Sequence, residues 1–514
     1  MFRPGSSPGR VVLLGDFVNE GTLEIEVDGL AGAGVTGGYD QVVVGGATTL
    51  GAQSVLRLTR STGAFEPSRG RVAQILRSSG GINGTFGTVD NRFSTGLYLD
   101  LNDDPASGGY LYSTGQNKGL GVSGLADSNL NNKAILKSLS EASLVGSNQF
   151  DSATSYGNAF RGLFTSNNLD TFFAGISPEA YAGLEDYTLR VARNYTRNAT
   201  GFNAVGSPSG TPGDVSGLSF FGGYTQFETA ADSSDNQADY DLQSKGGIVG
   251  VRTPFGSKAS LGAFFAVDEG SVDSSHLSSD VNGVVLGLFG EVPVALDDRL
   301  TFNGGFTYGR YSTDAERASY GGTATANGID SQSVLGYVGV KYELIRPEPV
   351  AALDAKQVKP LGGDLKAGTV AQYFEGIRFS LVPEANFTVN NGTVDGFNEK
   401  SGTALKVSEQ EKTSLLGEAA IMLSAKMTSK FTTGIRMGVT HDFADAERDV
   451  TAAFAAGKPF TVTAPGMGST EFTVGVRASY QVTKKLVLTS SYGAGFAADS
   501  NTAHAFSIGA GYSF

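Results

Sequence analysis

The chain has no cysteine and no tryptophan in 514 residues, and only three histidines. Without cysteine there is no disulfide framework, no cysteine-rich zinc site, no iron–sulfur cluster and no thiol nucleophile. That also suits a chain that crosses an oxidising compartment unfolded. Charge is scarce too: charged residues make up 17% of the sequence, against about 25% in soluble globular proteins. Acidic residues outnumber basic ones 51 to 38, a net charge of −13, which argues against nucleic acid as a partner. No apolar run reaches the roughly 18 residues of a membrane-spanning helix. The nearest, at Leu415 to Ala425, is broken by Glu418. The start, Met1-Phe2-Arg3-Pro4-Gly5, lacks the basic-then-apolar pattern of a signal peptide. Gly5 to Gly9 reads as an internal turn, so the expectation is a fragment or a late start.

Glycine and aromatics are abundant instead. There are 72 Gly, 32 Phe and 19 Tyr, and mean hydropathy is −0.08. Three textures follow along the chain. From about 10 to 105, short β-type runs such as Leu23-Glu24-Ile25-Glu26-Val27 and Gln41-Val42-Val43-Val44 are separated by turn residues. Short strands at near-regular spacing predict the rungs of a parallel β-solenoid, with a small sandwich as the alternative. From about 128 to 200 the spacing becomes helical, around Ile135 to Leu139 and again from Phe150 through Tyr156 and Phe160 to Leu163. The clearest helix follows Ser177-Pro178-Glu179, a capping residue, a proline at the first turn and an acidic side chain for the helix dipole. Its last turns carry Arg190, Arg193 and Arg197, where cations are favoured.

From about 216 onward there are about twelve segments of roughly ten residues, bounded by turn signals. In Phe472 to Val482, apolar Phe472, Val474, Val476, Ala478, Tyr480 and Val482 alternate with Thr473, Gly475, Arg477, Ser479 and Gln481. Soluble sheets also alternate, but their polar face is usually rich in Lys and Glu. Here it is mostly Gly, Ser, Thr and Asn, which suits a wet lumen, while the Leu, Val, Phe and Tyr face suits lipid. A closed barrel also leaves no unpaired backbone in hydrocarbon. Aromatics at expected strand ends, Tyr308, Tyr342, Tyr373, Phe443 and Tyr480, suit interfacial girdles. The expected partner of that face is outer-membrane lipid. The rival architecture is a large soluble β-sandwich.

Little in the sequence points to chemistry. His276, His441 and His504 lack metal-ligand spacing, and neither a phosphate-binding P-loop nor a nucleophile elbow occurs. No catalytic residue, cofactor or metal is expected, so the chain is not read as an enzyme. Asn131-Asn132 and Asn167-Asn168 suit helix capping, and self-cleavage between paired asparagines is an alternative that rests on the family resemblance given below.

The last strand is the most specific feature. Phe506, Ile508, Ala510, Tyr512 and Phe514 share one face, and Phe514 is the carboxy-terminal residue. This resembles the terminal signal of bacterial outer-membrane barrels. The whole order resembles the type Va autotransporter family: rungs such as Gly21 to Val27, Tyr39 to Val44 and Ala47 to Gly51, then linker text Ser177 to Leu184, then about twelve amphipathic strands ending at Phe514.

The resemblance implies an all-β fold. Residues 1–127 would be a β-helical passenger stem, 128–213 a helical linker including a helix in the lumen, and 214–514 a 12-stranded antiparallel outer-membrane barrel. It implies type V secretion, in which the barrel helps deliver its own passenger to the cell surface. Phe506, Ile508, Tyr512 and Phe514 would be read by the barrel-assembly machinery, after periplasmic chaperones have carried the chain. The remaining site expectations concern the lumen. Arg378, Arg436 and Arg477 should face inward and pair with Glu418, or with Glu185 and Asp186 of the helix that follows Ser177 and Pro178. The alternatives are an outer-membrane porin or adhesin barrel, and a soluble secreted β-rich adhesin.

Overall fold

The computed structural model describes residues 1–5, 8–61, 65–68, 70–93, 95–104, 108–117, 129–143, 159, 162–163, 166, 169–200, 217–231, 239–256, 258–295, 298–345, 377–444, 448–454, 458–464, 469–497 and 502–514. Phe150, Tyr156, Phe160, Asn167-Asn168 and Tyr373 lie outside the described residues.

The N-terminal region winds through three rungs. The first holds β1 (Arg10–Leu13), β2 (Phe17–Asn19) and β3 (Thr22–Glu26). The second holds β4 (Gln41–Val44), β5 (Thr48–Leu50) and β6 (Val55–Thr59). The third holds β7 (Gly70–Ser78), β8 (Ile82–Gly84) and β9 (Thr88–Asn91). Each strand pairs in parallel with its counterpart one rung on: Val11 with Val42, Phe17 with Thr48, Leu23 with Leu56, Leu56 with Val89. Parallel register stacks like on like, so Leu23 sits beside Leu56 and Ile25 beside Leu58, all fully buried. The same register builds an outward column of alternating charge. Arg57 lies between Asp90 at 2.8 Å and Glu24 at 3.6 Å, and Arg3 reaches Glu24 at 2.8 Å. An antiparallel hairpin, β10 (Thr95–Asp104) and β11 (Gly108–Asn117), ends the stack by pairing with β7.

The helices among the described residues that follow are α1 (Leu130–Ser143), α2 (Leu169–Ile176) and α3 (Ala182–Thr200), the last entered through a 3-10 turn at Glu179–Tyr181. Asn129 caps α1, its Oδ1 accepting from the Asn131 and Asn132 amides at 2.8 and 3.2 Å. Ser177 Oγ accepts from the Glu179 amide at 3.3 Å, but the cap position of the 3-10 turn is Pro178, not the serine expected from the sequence. The α-helix proper starts one turn later than its sequence signature suggests.

The rest closes into a 12-stranded antiparallel barrel. Its first strands are β12 (Ser219–Ala231), β13 (Tyr240–Phe255), β14 (Ala259–Asp273), β15 (Leu277–Ala295), β16 (Leu300–Ser319), β17 (Gly322–Tyr342) and β18 (Arg378–Val394). Between barrel strands, β19 (Phe397–Asn398) and β20 (Leu405–Val407) come before β21 (Gln410–Lys426) and β22 (Phe431–Asp442). Then β23 (Arg448–Phe454) and β24 (Phe460–Ala464) precede β25 (Thr470–Gln481), β26 (Leu486–Ala497) and β27 (Thr502–Ser513). The first strand closes on the last, Phe220 opposite Tyr512. The strands β19, β20, β23 and β24 form a four-stranded sheet over one rim.

Strand faces follow the alternation. Val284, Leu286, Leu288, Phe302, Phe306, Val338, Ile435, Met437 and Val476 all point outward and are exposed in the isolated chain, as a lipid-facing band must be. The strands run longer than the roughly ten residues read from the sequence: β16 has 20 and β17 has 21. A tilted span needs only about 9–11, so these strands continue past the bilayer. Tyr308 therefore falls inside β16 and not at an end, whereas Tyr342 and Tyr480 lie at strand ends and Phe443 just beyond β22.

Candidate functional site: the plugged lumen

Helix α3 lies inside the barrel with its N-terminus at the rim covered by the four-stranded sheet. Gly183 lies against Val272 and Tyr240 near that rim. Further down, Thr196 Oγ1 is 2.7 Å from Thr307 Oγ1, and Asn198 donates to Thr225 at 3.1 Å, both at mid-height of the wall. Nineteen residues at about 1.5 Å each give a rod of about 28 Å, close to the hydrocarbon thickness of about 30 Å. After the helix the wall begins at Ser219, beside Ser513 at the opposite rim.

One side of α3 is packed tightly. Leu184, Tyr187, Val191 and Tyr195 form a continuous core with Tyr240, Leu242, Ile248, Ala266, Val272 and Tyr311 of the wall. Buried Asp268 of β14 accepts from Tyr187, from Tyr195 at 2.9 Å and from Ser244 at 2.7 Å. Tyr187 and Tyr195 lie over Gly270 and Gly246, where any added Cβ would collide with their hydroxyls. Asn390 of β18 donates to the Leu189 carbonyl at 2.7 Å.

The other side carries charge. Arg193 meets Glu471 at 3.1 Å and Arg197 meets Glu418 at 2.8 Å. Arg436 shares Glu418 at 2.8 Å and reaches Glu384 at 3.4 Å. Arg477 faces inward and donates to Ser424 at 3.2 Å. Arg378 shares the inward parity of Glu384 but is half-exposed at the far rim, with no hydrogen bond or ion pair to the described residues.

Glu185 and Asp186 do not reach the wall arginines named in the sequence analysis. Both turn to Arg448 of β23, Asp186 at 2.6 Å and Glu185 at 3.7 Å, and Tyr240 also donates to Asp186. Burial works against the charged form of Arg448, yet Asp186 and Glu185 outweigh it and hold the guanidinium above its ordinary pKa.

At the sheet-covered rim a second buried ion pair closes the lumen. Arg317 of β16 and Glu399 make a two-pronged pair at 2.7 and 2.6 Å. Arg317 also donates to the carbonyls of Gly175 at 2.6 Å and Thr403 at 3.0 Å. Tyr181 and the Leu405 amide each donate to Glu399 at 2.6 Å. One pair thus joins wall, sheet, α2 and the entry to α3. Sequence reasoning missed Arg317, Glu399, Arg448 and Asp268. For Asp268 a signal existed, since it is an acid at an inward position of an otherwise small and apolar strand.

Asn131 docks α1 on the edge of β24: its Nδ2 donates to the Thr463 carbonyl at 2.8 Å and its Oδ1 accepts from the Thr463 amide at 2.9 Å. His441 contacts Thr470 Oγ1 at 2.8 Å, while Asp442 accepts from Ser414 and from the Leu415 amide at 2.9 Å, so the adjacent pair do not face each other. At the barrel seam Phe506, Ile508, Tyr512 and Phe514 all face outward, 44%, 53%, 41% and 65% exposed. The Phe514 ring packs 5.5 Å from Phe220 and 5.1 Å from Tyr512.

The translocator domain of autotransporter NalP from Neisseria meningitidis is 16% identical, over 65% of this chain and 96% of that one, with a TM-score of 0.44. The transport unit of autotransporter AIDA-I from Escherichia coli is 13% identical, over 63% and 97%, with a TM-score of 0.42. The β domain of the Bordetella autotransporter BrkA is 15% identical, over 59% and 100%, with a TM-score of 0.39. No curated protein matches the chain. The family model described as the Autotransporter beta-domain matches residues 218–493, more than half of the chain. The chain therefore belongs to the autotransporter family, and its barrel is an outer-membrane translocator that delivers a passenger to the bacterial surface.

Proposed function

We propose that the protein stands in the state that follows passage of its own passenger. In this reading residues 1–127 are the surface stem, 128–213 the linker and 214–514 the barrel. The carrying observation is that α3 fills the lumen with its N-terminus at the rim where α1 docks on β24. The pairs Arg193–Glu471 and Arg197–Glu418 act as the latch, and Arg436 holds Glu418 in place for it. The aromatic seam Phe506, Ile508, Tyr512 and Phe514 serves as the surface read by the barrel-assembly machinery, and periplasmic chaperones hold the unfolded chain beforehand. Its outward exposure supports that role. The whole task is transport and display, carried out without a catalytic group.

The absence of native cysteine gives a clean test. A Cβ at Gly392 would lie 2.8 Å from Thr188 Oγ1, so Thr188→Cys with Gly392→Cys should form a disulfide. The chain is expressed behind a functional signal peptide and recovered from outer membranes. The expected result is a cross-linked, heat-modifiable band whose residues 10–105 are cut by protease added to intact cells. Surface-exposed passenger without any cross-link would overturn the plugged state. Recovery as a soluble periplasmic protein without a mobility shift would overturn the barrel assignment itself.

A further inference from the structure

Charge is unevenly shared between the two ends of the barrel. Toward the covered rim the outward wall of β14 to β17 carries exposed Glu269, Asp280, Asp314, Glu316 and Asp330, and Asp280 stands directly opposite Asp314. At the far rim the sign reverses. On the β13 to β16 side of that rim the cations are matched: Lys258 meets Asp298 at 2.7 Å, and Arg252 is paired with Glu291. On the β21 to β27 side they are not. Lys426 ends β21, Lys430 lies in the turn to β22, and Lys484 and Lys485 lie in the turn from β25 to β26. All are exposed, and none is in an ion pair with the described residues.

The sequence leaves this arc without a counter-charge of its own. Ala419 to His441, Phe472 to Ala497 and Thr502 to Phe514 contain no Asp or Glu. Glu418 and Glu471 of the same strands face the lumen, where Arg197 and Arg193 engage them. The turns are neighbours: the Gln481 amide donates to the Lys430 carbonyl at 2.8 Å, and the Ser513 amide to the Lys485 carbonyl at 2.9 Å. Just inside them the outward face is apolar and aromatic. Tyr480 stands opposite Phe431 on one side and Leu488 on the other, and Leu486 opposite Tyr512. Tyr480, Leu488, Tyr512 and Phe514 are all exposed there. A strip of lysines thus edges a lipid-facing aromatic band. Aromatic rings of this kind sit at headgroup level, and basic residues at the membrane edge attract anionic headgroups.

We propose that this arc is a binding site for anionic phospholipid, its phosphodiester headgroup held by Lys430, Lys484 and Lys485 and its acyl chains lying on Tyr480, Leu488 and Tyr512. The lipid comes from the leaflet facing the periplasm, because α3 enters from the surface side and the far rim is the other one. That side assignment rests on the plugged state proposed above, and the experiment tests it apart from the lipid preference. A uniform lipid shell needs only apolar side chains. An unmatched basic edge confined to one arc gives the barrel a preferred lipid at one place on its circumference.

The chain lacks tryptophan, so Leu488→Trp supplies a single reporter on the arc. Phe302→Trp supplies one across the barrel at the same depth, since each residue lies just after the start of its strand. Each full chain is reconstituted in vesicles of equal phosphatidylcholine and phosphatidylglycerol, with one or the other brominated on its acyl chains. Quenching at Leu488→Trp should favour the brominated phosphatidylglycerol with an association ratio of about fivefold, and quenching at Phe302→Trp should favour neither. At about 1 M salt, where the screening length falls to about 3 Å, the ratio at Leu488→Trp should drop toward one. Combining Lys430→Gln, Lys484→Gln and Lys485→Gln should do the same. Equal quenching by the two lipids at Leu488→Trp, the same preference at Phe302→Trp, or a ratio that salt leaves unchanged would overturn the site. If the glutamine variant loses its heat-dependent mobility shift, the salt dependence and the comparison of the two arcs still decide the matter. The leaflet is read separately. Ser429→Cys, the only thiol in the chain, should react with a membrane-impermeant maleimide only after the outer membrane of whole cells is made permeable. Labelling on intact cells would overturn the plugged orientation and the leaflet together, a failure distinct from equal quenching, which strikes the lipid site alone.

Discussion

Breaking the Arg317–Glu399 pair should release the sheet that covers the lumen. Arg317 is fully buried, as is the Glu399 side chain, and the pair joins β16 to the connection between β18 and β21. Arg317→Met leaves a buried carboxylate with only Tyr181 and the Leu405 amide as donors. Removing one partner of a buried pair costs about 3–5 kcal/mol. If that cost falls on local opening, it raises the opening constant by about 150- to 5,000-fold. The amides to read are Lys400, bonded to the Thr325 carbonyl at 2.8 Å, and Ser408, bonded to the Thr451 carbonyl at 2.9 Å. Hydrogen exchange at both should accelerate by that factor, while amides in the middle of β22 stay protected. The double variant Arg317→Met with Glu399→Leu removes both charges and should recover most of the protection. Exchange at Lys400 within threefold of wild type in the single variant would refute the idea that this pair holds the cap.

Three further outcomes are expected. Gly270→Ala places a methyl group against the Tyr187 hydroxyl and the Gln243 carbonyl, so α3 should lift from the wall; the Thr188–Gly392 cross-link yield should fall while the heat-dependent mobility shift remains. Asn131→Ala removes both Asn131 bonds to the Thr463 backbone, at about 1–3 kcal/mol, and exchange at Thr463 should rise by roughly 5- to 150-fold. In the solenoid two acids respond to pH with opposite sign. The Arg57 hydrogen bond holds Asp90 below the usual carboxylate range, so its contribution is present above about pH 3.9 and lost as pH falls through its lower folded value. Burial raises Asp40 despite the Gly9 and Glu26 amides, so acidification through its raised value adds stability. Exchange at Val27, bonded to Thr59, should therefore lose its acid-side loosening in Asp90→Asn and lose its acid-side tightening in Asp40→Asn.

The barrel was legible because its two solvents differ. Period-two alternation is forced by lipid on one side and lumen on the other, and all twelve barrel strands fall on the alternating segments. Strand length was not legible. Outside the bilayer β15, β16 and β17 keep pairing on both sides, and pairing has no period that marks where lipid ends. Rung stacking was legible only in part: near-regular spacing of short strands left rungs and a sandwich both open, and the parallel register that sets Leu23 beside Leu56 and Leu56 beside Val89 decides between them.

Partners inside the lumen obey a different logic. Parity tells which way Arg436, Arg477 and Glu418 point, and inward parity is where all three lie. It cannot tell what lies opposite, because partners are remote in sequence, Arg193 and Glu471 lying 278 residues apart. Arg193 and Arg197 read locally as cations at a helix end, a surface feature of modest weight. In the lumen they meet Glu471 and Glu418 instead, and the acids at the other end of α3 meet Arg448 above the wall. The helix thus carries acids toward the covered rim and arginines toward mid-barrel, each facing an opposite charge. Reversed insertion would set Arg193 and Arg197 near Arg448 and Arg317, and Glu185 and Asp186 near Glu418 and Glu384, a like-charge mismatch at both levels. The charge layout therefore fixes the direction in which the plug sits. Exchanging Glu471→Arg with Arg193→Glu should restore a cross-link yield that either change alone reduces.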